Sequence, residues 1–184
     1  IWTTTPWTLP ANLAIAAGPT VEYALVKFER DGQLVVNVVA VDLVEKVFAR
    51  SDFKPSTIKT VSGKELEGIE YAHPFVERTG KVVLADYVTT TDGTGLVHTA
   101  PGHGDEDYQT GKQYKLDVYC PVLGNGRFDD TVPEWLRGQS VWKGDELIIT
   151  KLTESGALFA AEKYSHSYPH DARSKRKTIY RATE

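Results

Sequence analysis

Two short stretches concentrate the side chains that could do chemistry. Residues 92–108 read DGTGLVHTAPGHGDEDY, and residues 2–7 read WTTTPW. Glycines let a chain turn sharply or pass close to a ligand. A glycine-rich loop opening a helix is a ready site for an anion. Here the first turn, Asp105-Glu106-Asp107, is itself acidic and favours a cation, an ammonium or a metal. The same carboxylates also suit plain complementarity to the helix dipole. In WTTTPW, β-branched threonines are stiff at χ1 and carry hydroxyls, and the two indoles are large and apolar. The stretch reads either as strand and core or as a polar, aromatic pocket that measures a small ligand.

Metal and nucleophile chemistry find little support. The histidines are His73, His98, His103, His166 and His170, with Cys120 the single cysteine. His166 and His170 have helical spacing, but Pro169 argues against a helix there. There is no CxxC, HExxH, GxSxG or Walker sequence. The Asp92-Gly93-Thr94-Gly95 loop resembles half of an aspartic-protease site, and no second copy exists. No metal and no cofactor are expected.

The elements that must position these residues are mostly strands. VEYALVKFE, Asp31-Gly32 and QLVVNVVA predict a hairpin with a two-residue turn. AVDLVEKVFARSD places Val41, Val44, Val47 and Phe48 on one helical face. KVVLADYVTT and GLVHTA predict two further strands joined around residues 92–95, and VYCPVL and LFAAEKYSHSYP two more. GHGDEDYQTGKQYKL and GDELIITKLTESG predict helices, the latter with Asp145 as N-cap and Gly156 past its end. The expected class is α+β: a strand-dominated, β-barrel-like core with two or three peripheral helices, in a single domain over residues 1–184.

Composition sets the bounds. The chain has 184 residues, 41% hydrophobic and 25% charged, enough for one well-buried domain. It opens on Ile and carries no Met, so a fragment of a longer protein is expected. No apolar run reaches about 18 residues and no signal-peptide pattern is present, so no membrane association is expected. A lone cysteine fits a reducing, cytoplasmic setting. The net charge of −4 offers no global attraction for nucleic acid. Residues 170–181 nevertheless gather Arg173, Lys175, Arg176, Lys177 and Arg181, either as a solvated tail or as a phosphate-contacting edge.

WTTTPWTLPAN at 2–12 and GTGLVHTAPGHGDEDY at 93–108 together resemble the editing domain of the isoleucyl-tRNA synthetases, class I aminoacyl-tRNA synthetases. Valyl and leucyl relatives carry an arginine-containing TTRP sequence at the first stretch and lack histidine at the position of His98. The resemblance covers the whole chain. It departs at Ala172, where tryptophan is frequent, and at Arg176-Lys177, where lysine-proline is common. It implies hydrolysis of the ester of mischarged Val-tRNA(Ile) by a positioned water, with Ile-tRNA(Ile) rejected and no aminoacylation by this fragment alone.

By the same resemblance, Thr3, Thr4, Thr5, Asn12 and Asp107 are the catalytic set, with Asp107 binding the substrate ammonium. Trp2, Trp7, Thr8, Thr94, His98 and Tyr168 are the substrate-binding set, with His98 limiting the pocket. Arg173, Lys175, Arg176 and Lys177 would meet the tRNA. The implied partners are the 3′ end of tRNA(Ile) carrying valine and the remainder of a parent synthetase. A non-catalytic module that grips the tRNA 3′ end, or only spaces two domains, is the alternative.

Overall fold

The computed structural model describes residues 1–164, 168–175 and 177–183. They divide into two compact units. The first comprises residues 1–3, 12–73 and 77–99, and the second residues 4–11, 74–76 and 100–184.

The first unit contains all the named strands: β1 (Ala14–Ala17), β2 (Glu22–Arg30), β3 (Gln33–Ala40), β4 (Ser56–Ser62), β5 (Glu70–Ala72), β6 (Thr79–Leu84) and β7 (Leu96–Thr99). Two short helices, α1 (Val44–Phe48) and α2 (Gly63–Leu66), join them. The expected hairpin is present. Asp31 and Gly32 have φ of 52° and 76°, the pair of positive values that a turn matched to strand twist requires. Along β2 the residues Tyr23, Val26 and Phe28 are buried, and Phe28 meets Phe48 of α1 edge-on at 5.3 Å between ring centres.

The strands form two open sheets, β5-β6-β1-β7 and β3-β2-β4, and among the described residues they do not close into the expected barrel. Closure needs every edge strand to find a neighbour. Here β4 remains an edge with its first five residues exposed, and β1 and β7 are only four residues long. The strands β6 and β7, joined through residues 92–95, flank β1, in parallel and antiparallel register respectively. Tyr23 ties the two sheets together. Its hydroxyl accepts from the Gly18 N–H at 2.8 Å and donates to the Gly95 carbonyl at 2.6 Å.

The second unit is built on α3 (Asp105–Tyr114), α4 (Val141–Glu154) and two 3-10 turns, Pro6–Ala11 and Glu134–Leu136. Trp7, Leu9, Val122, Phe128, Val132, Leu136, Val141 and Ile148 make its core. VYCPVL contributes one isolated bridge, Val122 to Phe128, in place of a strand. No strand forms over the described part of 158–169; residues 165–167 of that expected strand, with His166, lie outside the described residues. The cap of α4 is Ser140, whose hydroxyl accepts from the Lys143 N–H, and not Asp145, which sits within the helix. No helix among the described residues is long and apolar enough to cross a membrane.

Replacing Tyr23 by Phe strands a buried N–H and a buried carbonyl. It is expected to cost about 1–3 kcal/mol, read from urea unfolding of parent and variant.

Candidate active site

In the second unit, Thr4 and Thr5 lead into the turn at Pro6–Ala11. The Thr5 carbonyl accepts both the backbone N–H and the hydroxyl of Thr8, at 3.0 and 2.9 Å, which starts the turn and buries Thr8. Trp7 follows, 3% exposed, with its backbone N–H donating to Asp145 Oδ1 of α4 at 2.8 Å. Its indole meets the His103 imidazole edge-on, ring centres 5.1 Å apart. The opening turn and the loop before α3 therefore converge, although about a hundred residues separate them in the chain.

Asp107 occupies the third position of α3, and its Oδ2 accepts from the Ala100 N–H at 2.8 Å. Burial raises the Asp107 pKa, the Ala100 N–H opposes that shift, Glu106 adds to it and His103 counters it. Asp105 and Glu106 are exposed, as expected of acids serving only the helix start. The loop has no room for a side chain at Gly102, where a Cβ would sit 2.3 Å from the Tyr119 carbonyl oxygen. The sequence GHGDED thus makes a tight corner that presents one carboxylate, Asp107, in a half-buried setting.

A third feature of this unit was not legible in the chain. Lys177 Nζ lies over the Trp142 and Tyr168 rings, 5.3 and 5.5 Å from their centres. Asp145, beside them, is pushed up to about 6, mainly by burial; the Trp7 N–H and Lys177 pull the other way. Tyr168 is raised as well, first by burial and then by the Asp145 charge. Of the basic residues expected to meet tRNA, Arg173 and Lys175 are exposed, Lys177 is engaged with these rings, and Arg176 lies outside the described residues. Residues 171–175 fold into a small knuckle, with Ser174 N–H on Asp171 Oδ1 at 2.6 Å and Lys175 N–H on the Asp171 carbonyl at 2.9 Å.

The remaining site candidates belong to the first unit: Trp2, Thr3, Asn12, Thr94 and His98. Trp2 packs at Gly93, where a Cβ would lie 3.2 Å from the Trp2 side chain. The Thr94 carbonyl accepts the Ala40 N–H at 2.8 Å. His98 stands on β7 opposite Ile15 and is buried.

Asn12 is the hub. Its Oδ1 accepts the Tyr71 hydroxyl at 2.5 Å, and its Nδ2 contacts the Ala14 carbonyl at 2.8 Å and His98 Nδ1 at 3.2 Å. A carbonyl only accepts, so the amide nitrogen must face Ala14. The same NH₂ group then donates to His98, whose Nδ1 must accept; a neutral imidazole accepting there carries its proton on Nε2. Burial pushes the Tyr71 phenol up to about 12, which keeps it a donor to Asn12. Among the described residues, no three His, Cys, Asp or Glu side chains gather to hold a metal.

This architecture is found in known proteins. A solved structure described as GlLeuRS-CP1 matches with a TM-score of 0.67 at 16% identity, covering 88% of this chain and 83% of that one. The P. knowlesi cytosolic leucyl-tRNA synthetase editing domain matches with a TM-score of 0.63 at 10% identity, covering 84% and 80%. At such identities the likeness is one of fold. The family described as leucyl-tRNA synthetase, editing domain, matches residues 39–173.

The chain therefore belongs to the editing-domain family of the class I aminoacyl-tRNA synthetases. All of it aligns with isoleucine–tRNA ligases, at 46% identity in Persephonella marina and 49% in Acaryochloris marina, of which it spans 19% and 18% of the length. That similarity lies on the isoleucyl side of the family.

Two measurements follow. Long-range ¹H–¹⁵N spectra are expected to show His98 as the Nε2–H tautomer, with that preference lost in Asn12→Ala. Between about pH 4 and 6, the folded protein keeps a proton on Asp145 that the unfolded chain releases, so this group's effect on stability becomes less favourable as pH rises. Asp145→Asn removes that burden while keeping an acceptor for the Trp7 N–H. Its urea midpoint is expected to gain on the parent's from about pH 4 to 7.

Proposed function

We propose that this chain is a post-transfer editing deacylase, hydrolysing the aminoacyl ester of mischarged Val-tRNA(Ile) by a positioned water and sparing Ile-tRNA(Ile). The observation that carries the reading is the meeting of the opening turn with the Asp107 loop through Trp7 and His103. The similarity of the whole of this chain to part of the isoleucine–tRNA ligases supports it.

The chemical need is plain. One methylene in a hydrophobic pocket is worth only about 1–3 kcal/mol, a limit for which isoleucine and valine in this very synthetase are the standard illustration, and a second hydrolytic site answers it. Asp107 holds the α-ammonium by a charge-assisted hydrogen bond. This orients the ester for water, and orientation alone can supply much of the rate for an ester already activated by a neighbouring ribose hydroxyl. Hydroxyls of Thr3, Thr4 and Thr5 hold the ribose or the developing oxyanion. Trp2, Trp7, Thr8, Thr94 and Tyr168 frame the ligand.

Asn12 acts through His98, and His98, fixed by that amide, limits side-chain size. Arg173, Lys175, Arg176 and Lys177 face the tRNA, with Lys177 sharing its charge with two rings. The 184 residues work as one editing domain in the cytoplasm, within a longer synthetase that binds the rest of the tRNA; without that remainder the chain does not charge tRNA.

The test uses the intact ligase. Asp107→Asn keeps an acceptor for the Ala100 N–H and removes only the charge. A charged hydrogen bond is worth about 1.5–3 kcal/mol, so hydrolysis of Val-tRNA(Ile) should slow about 10- to 150-fold. Parental rates in this variant would remove the ammonium assignment. His98→Ala should let the enzyme attack Ile-tRNA(Ile), and continued protection of that product would remove the gatekeeping role. A ligase that clears no mischarged tRNA at all would leave the non-catalytic tRNA-end module as the reading.

A further inference from the structure

His103 has no part in the chemistry above, yet it stands where three segments of the second unit meet. Its Nδ1 lies 3.0 Å from the Tyr180 carbonyl oxygen. A carbonyl can only accept, so Nδ1 carries the proton and Nε2 is a bare lone pair. Nε2 is shielded from solvent and makes no hydrogen bond among the described residues. The imidazole edge-stacks on Trp7, and it is close enough to Asp107 for each to shift the other's ionisation.

Two neighbouring bonds run the other way, donated by the segment itself. The Ala182 N–H donates to the Gly102 carbonyl at 2.7 Å, and Arg181 Nε donates to the Val122 carbonyl at 2.8 Å. Residues 180–182 are thereby laid along the loop whose Ala100 N–H anchors Asp107. A packing role alone would suit a phenylalanine. A histidine pays for an unsatisfied buried nitrogen, about 1–3 kcal/mol, and gains in return one directed N–H toward Tyr180.

We infer that His103 is a positioning residue of the editing site: its Nδ1–H bond to the Tyr180 carbonyl couples the docked segment 180–182 to the placement of Asp107 and Trp7. The kinetic half of this inference rests on the deacylase reading, and the structural half does not. Asparagine places an N–H donor where Nδ1–H stood and lacks the ring, so it separates the bond from the bulk.

The experiment compares the intact ligase with His103→Ala and His103→Asn. Hydrolysis of Val-tRNA(Ile) is followed under single-turnover and multiple-turnover conditions, and hydrogen exchange by mass spectrometry is followed over the peptide containing Ala100. The alanine variant should lose about 10- to 100-fold in kcat with KM within about threefold, as for a misplaced but intact catalytic group. The asparagine variant should recover to within about threefold of the parent.

Exchange at the Ala100 peptide should quicken at least about tenfold in the alanine variant and return toward the parental rate in the asparagine variant. Equal activity in all three proteins overturns the inference, and so does equal impairment of both variants. If the parent itself clears no Val-tRNA(Ile), the deacylase reading fails. The exchange data then decide alone: protection unchanged by alanine, or not restored by asparagine, overturns the coupling.

Discussion

A backbone N–H at residue 7 donating to a carboxylate 138 residues further along the chain holds the second unit together. The donor is Trp7, in a turn that could not stand alone: six residues of 3-10 helix with a proline inside. Short helices of this kind draw their stability from tertiary packing, not from propensity. Asp145 supplies the anchor from α4, and Trp7 belongs to the same core as Leu9 and Phe128. Threonines 4 and 5 are thus carried on a rigid mount. Keeping a carboxylate half-buried raises its proton affinity to about 6, and that cost is accepted for a directed acceptor at a helix side.

The first unit applies the same logic with neutral groups. Asn12 spends every polar atom of its amide on named partners, and its backbone carbonyl takes Arg78 Nη1 at 2.8 Å. A fully satisfied buried amide is stiff, because any rotation strands a donor or an acceptor. The consequence at His98 is a fixed tautomer in a residue otherwise free to choose. The size gauge proposed for His98 needs that fixity more than it needs a charge.

The hairpin was plain in the sequence because alternation and the Asp-Gly turn are local signals, and both long helices were visible from their end signals: acids opening α3 ahead of its lysines, and a glycine past the end of α4. The centre of the four-stranded sheet was not. Ala14-Ile15-Ala16-Ala17 has poor strand propensity and forms β1 because it is paired on both sides and its three alanines are buried. The barrel expectation failed for the same reason: strand neighbours are set by long-range pairing. At the site, Asp107 stood out from its motif. Asp145 read as a helix cap, since nothing in GDELIIT announces a bond to residue 7. His103 offered only a histidine without metal partners, and Lys177 a charge in a basic run, whereas the structure gives each a specific aromatic neighbour.

The position of β1 also bears on how the chain folds as it is made. Residues 14–17 pair with residues 81–84 and 96–99. Synthesis proceeds at about 5–20 residues per second, so this alanine-rich strand waits several seconds for its first neighbour. The turn at Pro6–Ala11 waits longer still, until α4 has left the ribosome. The β2–β3 hairpin, closed by two turn residues, needs no such wait, and hairpins form in about microseconds. Residues 6–17 are made well before their partners, and loops closed over such distances slow the approach to the native state.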